Sequence, residues 1–97
     1  MMMINLGEKI ELEGFNELEP GEMTIIRKLV GNYANKLGEF TKLRLHLKDV
    51  HQTGGSKKFE INGMIDKGGR MFNAEMTDYN LFMVINGVLG KLKKEME

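Results

Sequence analysis

The chain has no cysteine and no tryptophan, one proline and a single serine, Ser56. Each shortage closes off a class of chemistry. Without cysteine there are no disulfides, no thiolate metal sites and no cysteine nucleophiles, which fits a reducing compartment. The lone serine sits beside no histidine that the layout brings within reach, so a Ser-His-Asp arrangement is not expected. Long apolar runs are missing too. None approaches the length needed to cross a bilayer. The opening MMMINLGEKIELEG lacks the positively charged segment and apolar run of a secretory signal. A cytoplasmic protein with no membrane partner is expected.

What is present suits one small globular domain spanning residues 1–97, with 41% apolar and 29% charged residues. The formal charge is zero but unevenly spread. Residues 1–26 carry six glutamates against Lys9, whereas residues 27–58 carry eight lysines and arginines against Glu39 and Asp49. A neutral total can therefore conceal a basic face of the kind a polyanion requires.

Periodicity predicts the elements. Residues 8–15 alternate polar and apolar with Ile10 and Leu12 on one face, which predicts a strand. Glu19-Pro20-Gly21-Glu22 suits a helix start, because proline fits the first turn and carboxylates the positive dipole end. Ile26, Leu29 or Val30, Tyr33, Leu37 and Phe40 then recur at helical spacing, predicting a helix over about 20–40. Gly31 weakens it, and Gly38 suits its end. In residues 41–51 Leu43, Leu45 and Leu47 alternate strictly with Lys42, Arg44, His46 and Lys48, and only a half-buried strand separates those two sets. Residues 58–66 and 70–77 read as two further strands closed by the turn Gly68-Gly69. Residues 80–95 read as a helix with Asn80 as N-cap and Leu81, Val84 or Ile85, Val88 and Leu92 buried. The predicted fold is α+β, strand-helix-strand-strand-strand-helix. It has one four-stranded, mostly antiparallel sheet with both helices on one face and the basic strand face in solvent.

No catalytic set emerges. His46 and His51 lie five apart on a strand, point to opposite faces and cannot chelate together; both read as ordinary surface residues. Gly54-Gly55-Ser56-Lys57-Lys58 has the wrong spacing for a phosphate-binding loop and reads as a hairpin connection. No pair of carboxylates is placed for acid–base work. No metal, cofactor or small-molecule substrate is expected. Met23, Met76 and Met83 read as core filler, while Met64 and Met71 fall on the solvent side of their strands. The ordinary reading of Lys42, Arg44, His46 and Lys48 is a solvated strand face. The sharper reading is phosphate contact, since alternate strand positions lie about 7 Å apart. Arg27 and Lys36 on the first helix extend that reading. With no aromatic side chain interleaved, backbone contact with structured RNA is favoured over base stacking. The alternative is a protein-interaction module using the exposed sheet face or an edge strand.

The last strand and helix carry a resemblance. Ala74-Glu75-Met76 leads through Asn80-Leu81-Phe82-Met83-Val84-Ile85-Asn86 to Lys91-Leu92, and the first helix ends Lys36-Leu37 followed by Phe40. This resembles the ribosome hibernation-promoting factors, also described as ribosome-associated inhibitors or ribosome-subunit interface proteins. Their last elements read roughly A-x-A-E-x-x-D-M-Y-A-A-I-D-x-x-x-D-K-L-x-x-Q. Phe82 stands where the family has tyrosine, Asn80 and Asn86 where it has aspartate, and Lys91-Leu92 match. The resemblance implies a non-catalytic factor that binds ribosomal RNA on the small subunit and inhibits translation. On its motifs, Lys36 and Lys91 are the implied RNA contacts, with Lys94 nearby in the same last turns.

Overall fold

The computed structural model of the protein describes residues 3–16, 18–51 and 57–97, and for Val50, His51 and Lys57 the backbone only. The glycine-rich connection at 53–56 and the His51 side chain, both raised by the sequence, lie outside what is described. Seven elements follow in order: β1 (Met3–Leu6), β2 (Ile10–Glu13), α1 (Pro20–Leu37), β3 (Lys42–His51), β4 (Lys57–Lys67), β5 (Arg70–Asp78) and α2 (Leu81–Met96).

The strands form one mixed sheet in the order β1-β2-β3-β4-β5. β2 runs parallel to β3, joined through α1, while β3, β4 and β5 form an antiparallel meander. The sheet has five strands, not the four expected. The strand predicted over 8–15 is in fact the second arm of a hairpin, with Leu6 paired to Ile10 across a turn at 7–9. Gly7, at φ 72°, supplies the left-handed conformation that turn uses. β1 is only four residues long, too short for its alternation to stand out.

Strand alternation builds the core. Leu43, Leu45 and Leu47 of β3 are buried with Ile10 and Leu12 of β2 and Ile61 and Ile65 of β4. The same cluster takes in Ile26, Val30 and Leu37 of α1 and Val84, Ile85, Val88, Leu89 and Leu92 of α2. Gly63 of β4 faces α2 so closely that a Cβ there would stand 2.5 Å from Val88 Cγ1 and 3.1 Å from Leu92 Cδ1. Tyr33 of α1 places its hydroxyl beside Gly90 of α2, so the two helices touch.

The helix starts behave as their residues dictate. Pro20 opens α1, and the Glu22 carboxylate accepts a hydrogen bond from the Glu19 backbone N–H at 3.1 Å. Asn80 caps α2 through Oδ1, which accepts from the N–H groups of Phe82 and Met83 at 3.0 and 3.2 Å. Gly68 and Gly69 both take positive φ in the β4–β5 turn, as a two-residue hairpin loop of this type demands. One assignment fails here. Met83 is 55% exposed and fills no core space, because the buried stripe of α2 runs through its neighbours Val84 and Ile85.

Two glycines separate packing from propensity. Gly63→Val should destabilise the fold by about 1–3 kcal/mol in urea unfolding, since the new methyl groups must displace Val88 and Leu92. Gly31→Ala, with open space around it inside α1, should instead stabilise by about 0.5–1 kcal/mol.

Candidate nucleic-acid interface

Lys42, Arg44, His46 and Lys48 project from β3 on the face opposite Leu43, Leu45 and Leu47, as alternation requires. The register supplies what the strand alone could not: their neighbours. On one side β2 sets Glu11 beside Arg44 and Glu13 beside His46. On the other, β4 sets Asp66 beside Lys42, Met64 beside Arg44, Asn62 beside His46 and Glu60 beside Lys48. β5 adds Glu75 beyond Asn62. Lys58 joins this face opposite Val50, its ammonium 5.0 Å from the ring centre of Tyr79.

Glu11 is the hub of this arrangement. Its Oε2 accepts from Lys42 Nζ at 3.1 Å, and its Oε1 accepts from Arg44 Nε and Nη2 at 3.1 and 2.9 Å. One carboxylate thus clasps two cations of the adjacent parallel strand. Its side chain is only 17% exposed against 39% and 44% for its partners. The hydrogen bonds from Lys42 and then Arg44 hold the Glu11 carboxyl below the usual glutamate range. His46 Nε2 lies 3.3 Å from Glu13 Oε2, an ion pair when the imidazole is protonated. Among the described residues of this face, four lysines and arginines stand against five carboxylates, so the face is mixed rather than uniformly basic.

The other candidates lie elsewhere. Arg27 and Lys36 are exposed on α1, with Lys36 Nζ 5.4 Å from the ring centre of Tyr33. Lys91 and Lys94 are exposed on α2 and line an open cleft with Asn73, Ala74, Glu75 and Glu95. Lys91 Nζ donates to the Glu75 carbonyl at 2.9 Å. No hydrogen bond or ion pair joins α1's Arg27 and Lys36 to the β3 row among the described residues. The structure therefore presents three groups of cations. Lys48 is the member of the β3 row with no ion pair to a described carboxylate. Sequence reasoning named the cations but missed Glu11 and Glu13 as their partners. Both lie on a strand whose alternation pointed them to solvent, and only the parallel register reveals what they meet.

The described residues contain no cluster of three or more histidine and carboxylate side chains able to hold a metal, and no helix long and apolar enough to cross a membrane.

Comparison with known proteins follows the architecture. No family model matches the chain, and no curated protein matches it. Solved structures do. A ribosomal subunit interface protein from Coxiella burnetii superposes with a TM-score of 0.65 at 10% identity, covering 91% of this chain and 90% of that one. The N-terminal domain of Protein Y from Thermus thermophilus superposes with a TM-score of 0.60 at 17% identity, covering 96% of each. The chain shares their fold. The resemblance drawn from the last strand and helix is thus matched at the level of architecture over almost the whole domain.

The Glu11 geometry has a pH signature. A carboxyl held low in the folded state stabilises it above the pKa of the unfolded chain, and that contribution is lost as pH falls through the folded value. In a carboxyl-detected NMR titration Glu11 should therefore titrate below the exposed glutamates. Arg44→Met together with Lys42→Met should return it to the usual range.

Proposed function

We propose that the protein is a non-catalytic, ribosome-associated factor of the cytoplasm that binds RNA of the small subunit and inhibits translation. The observation that carries this reading is the end-to-end likeness in fold to a ribosomal subunit interface protein, taken with the motif resemblance in α2. The absence of a catalytic arrangement in the sequence agrees with a binding role. In this reading both helices cover the apolar sheet face, leaving the opposite face and the helix surfaces to meet RNA.

The contacts are assigned to Arg27, Lys36, Lys48, Lys91 and Lys94, with Lys42, Arg44 and His46 in a conditional role. Lys42 and Arg44 already satisfy Glu11. A phosphate that engaged them would have to displace or share that carboxylate, and it would meet Glu11's negative charge at close range. Glu11 in this scheme limits how strongly the strand row attracts RNA and favours a phosphate path that enters at Lys48.

The test is sedimentation of the full chain with purified small subunits across a salt series. Co-sedimentation that weakens steeply with salt is expected, because cation–phosphate contacts release counterions. Arg27→Glu, Lys36→Glu and Lys48→Glu combined should weaken it by roughly tenfold or more, with thermal stability changed by no more than about 1 kcal/mol since exposed charges contribute little. Glu11→Gln should tighten it by freeing Lys42 and Arg44. A protein that stays at the top of the gradient at low salt would refute the reading.

A further inference from the structure

β5 is one edge of the sheet. It is nine residues long where the opposite edge, β1, has four. Long unpaired edges invite another strand. The two-residue turn at Gly68-Gly69 makes Lys67 and Arg70 the first hydrogen-bonded pair. The even-numbered residues of β5 therefore turn their backbone groups to β4, and Met71, Asn73, Glu75 and Thr77 turn theirs outward. The hydrogen bond from Lys91 Nζ to the Glu75 carbonyl agrees with that phase. Among the described residues it is the one side-chain hydrogen bond given to the outward backbone groups of residues 71–77.

Exposed apolar side chains are spread along the same edge and the helix beside it. Among the described residues, Met71, Tyr79 and Met83 are three of the five exposed large hydrophobic side chains, at 50%, 53% and 55%. Met71 is in β5 and Tyr79 directly follows it. Met83 lies one and two turns before Gly87 and Lys91 on α2. Gly87 rests on Met76 of β5 and Lys91 reaches the β5 edge, so that stripe of α2 faces the edge. Phe72, Ala74 and Met76, on the apolar face of β5, are only half-buried.

The edge is self-complementary. Consider two copies of β5 paired antiparallel about a two-fold axis at Ala74, the midpoint of Arg70–Asp78. Arg70 then faces Asp78 of the other copy, and Phe72 faces Met76. On the polar face Asn73 faces Glu75, and Met71 faces Thr77. No like charges oppose, and an ion pair closes each end. The backbone phase agrees as well, because outward residues pair with outward residues (Asn73 with Glu75, Met71 with Thr77). Moving the axis to Glu75 would set two glutamates face to face, which costs stability.

We infer that the protein associates with a second copy of itself through β5–β5 pairing centred on Ala74, making one sheet continuous across two chains. Lys91 swings off Glu75 as the ladder closes, and Met71 and Met83 are covered. A two-fold pairing of this kind is closed, since each chain uses its long edge once. The inference does not depend on ribosome association, and its test contains no RNA.

The experiment is sedimentation equilibrium of the full chain over a concentration series, with two variants at an exposed position. The wild type should move from 11.1 kDa toward twice that mass as concentration rises. Asn73→Glu, which sets a carboxylate against Glu75 of the other copy at two symmetric places, should weaken dimerisation roughly two- to thirtyfold. Asn73→Lys should strengthen it by a similar factor. Circular dichroism confirms that both variants fold. A chain that stays monomeric throughout, or a dimer indifferent to both substitutions, overturns the proposal.

Discussion

Burial of one side of β3 is the constraint on which the rest of the molecule depends. Leu43, Leu45 and Leu47 go inward to meet Ile10, Leu12, Ile61, Ile65 and the helix stripes. Because side chains alternate, that single requirement sends Lys42, Arg44, His46 and Lys48 outward together. A slip of one residue in the register would bury four polar groups and expose three leucines, so packing energy holds the charged row in place. The composition of the open face is in this sense a by-product of the core.

What the open face can do is then decided by the strands on either side. The parallel pairing of β2 with β3 brings Glu11 against Lys42 and Arg44, and Glu13 against His46. This pairing joins segments separated in sequence by the whole of α1, and the charge pairs favour it over alternatives by opposite-charge contact across the ladder. The same pairs reduce the field the row projects. The exposed cations on α1 and α2 are not joined to this row by any described hydrogen bond or ion pair, so the candidate cations form separate groups rather than one continuous patch.

Much of this was legible in the chain itself. The strict alternation in residues 41–51, the Asn80 cap and the Gly68-Gly69 turn each declare their structure locally, and each is found where it was read. β1 escaped because four residues give periodicity too little room, and because Gly7 looks like a break until Leu6 is seen paired with Ile10. Met83 was misplaced because it adjoins Val84 in the sequence while lying about 100° from it around the helix, and a methionine gives no chemical sign of which side it takes. The alternation that puts Ile10 and Leu12 on one face puts Glu11 and Glu13 on the other. Their partners were invisible because the β2–β3 register is a long-range property that no local pattern encodes. The cations were named, and the carboxylates that temper them had to come from the fold.

In the proposed function, lysines spread over this fold meet RNA of the small subunit while the Glu11 cluster keeps part of the β3 row occupied. Lysine-acetylation footprinting of the full chain, with and without purified small subunits, tests it most directly. The account predicts strong protection of Lys36, Lys48, Lys91 and Lys94 on binding and a smaller change at Lys42, which is shielded by Glu11 already. Unchanged reactivity at all of these positions in the presence of saturating subunits would contradict it.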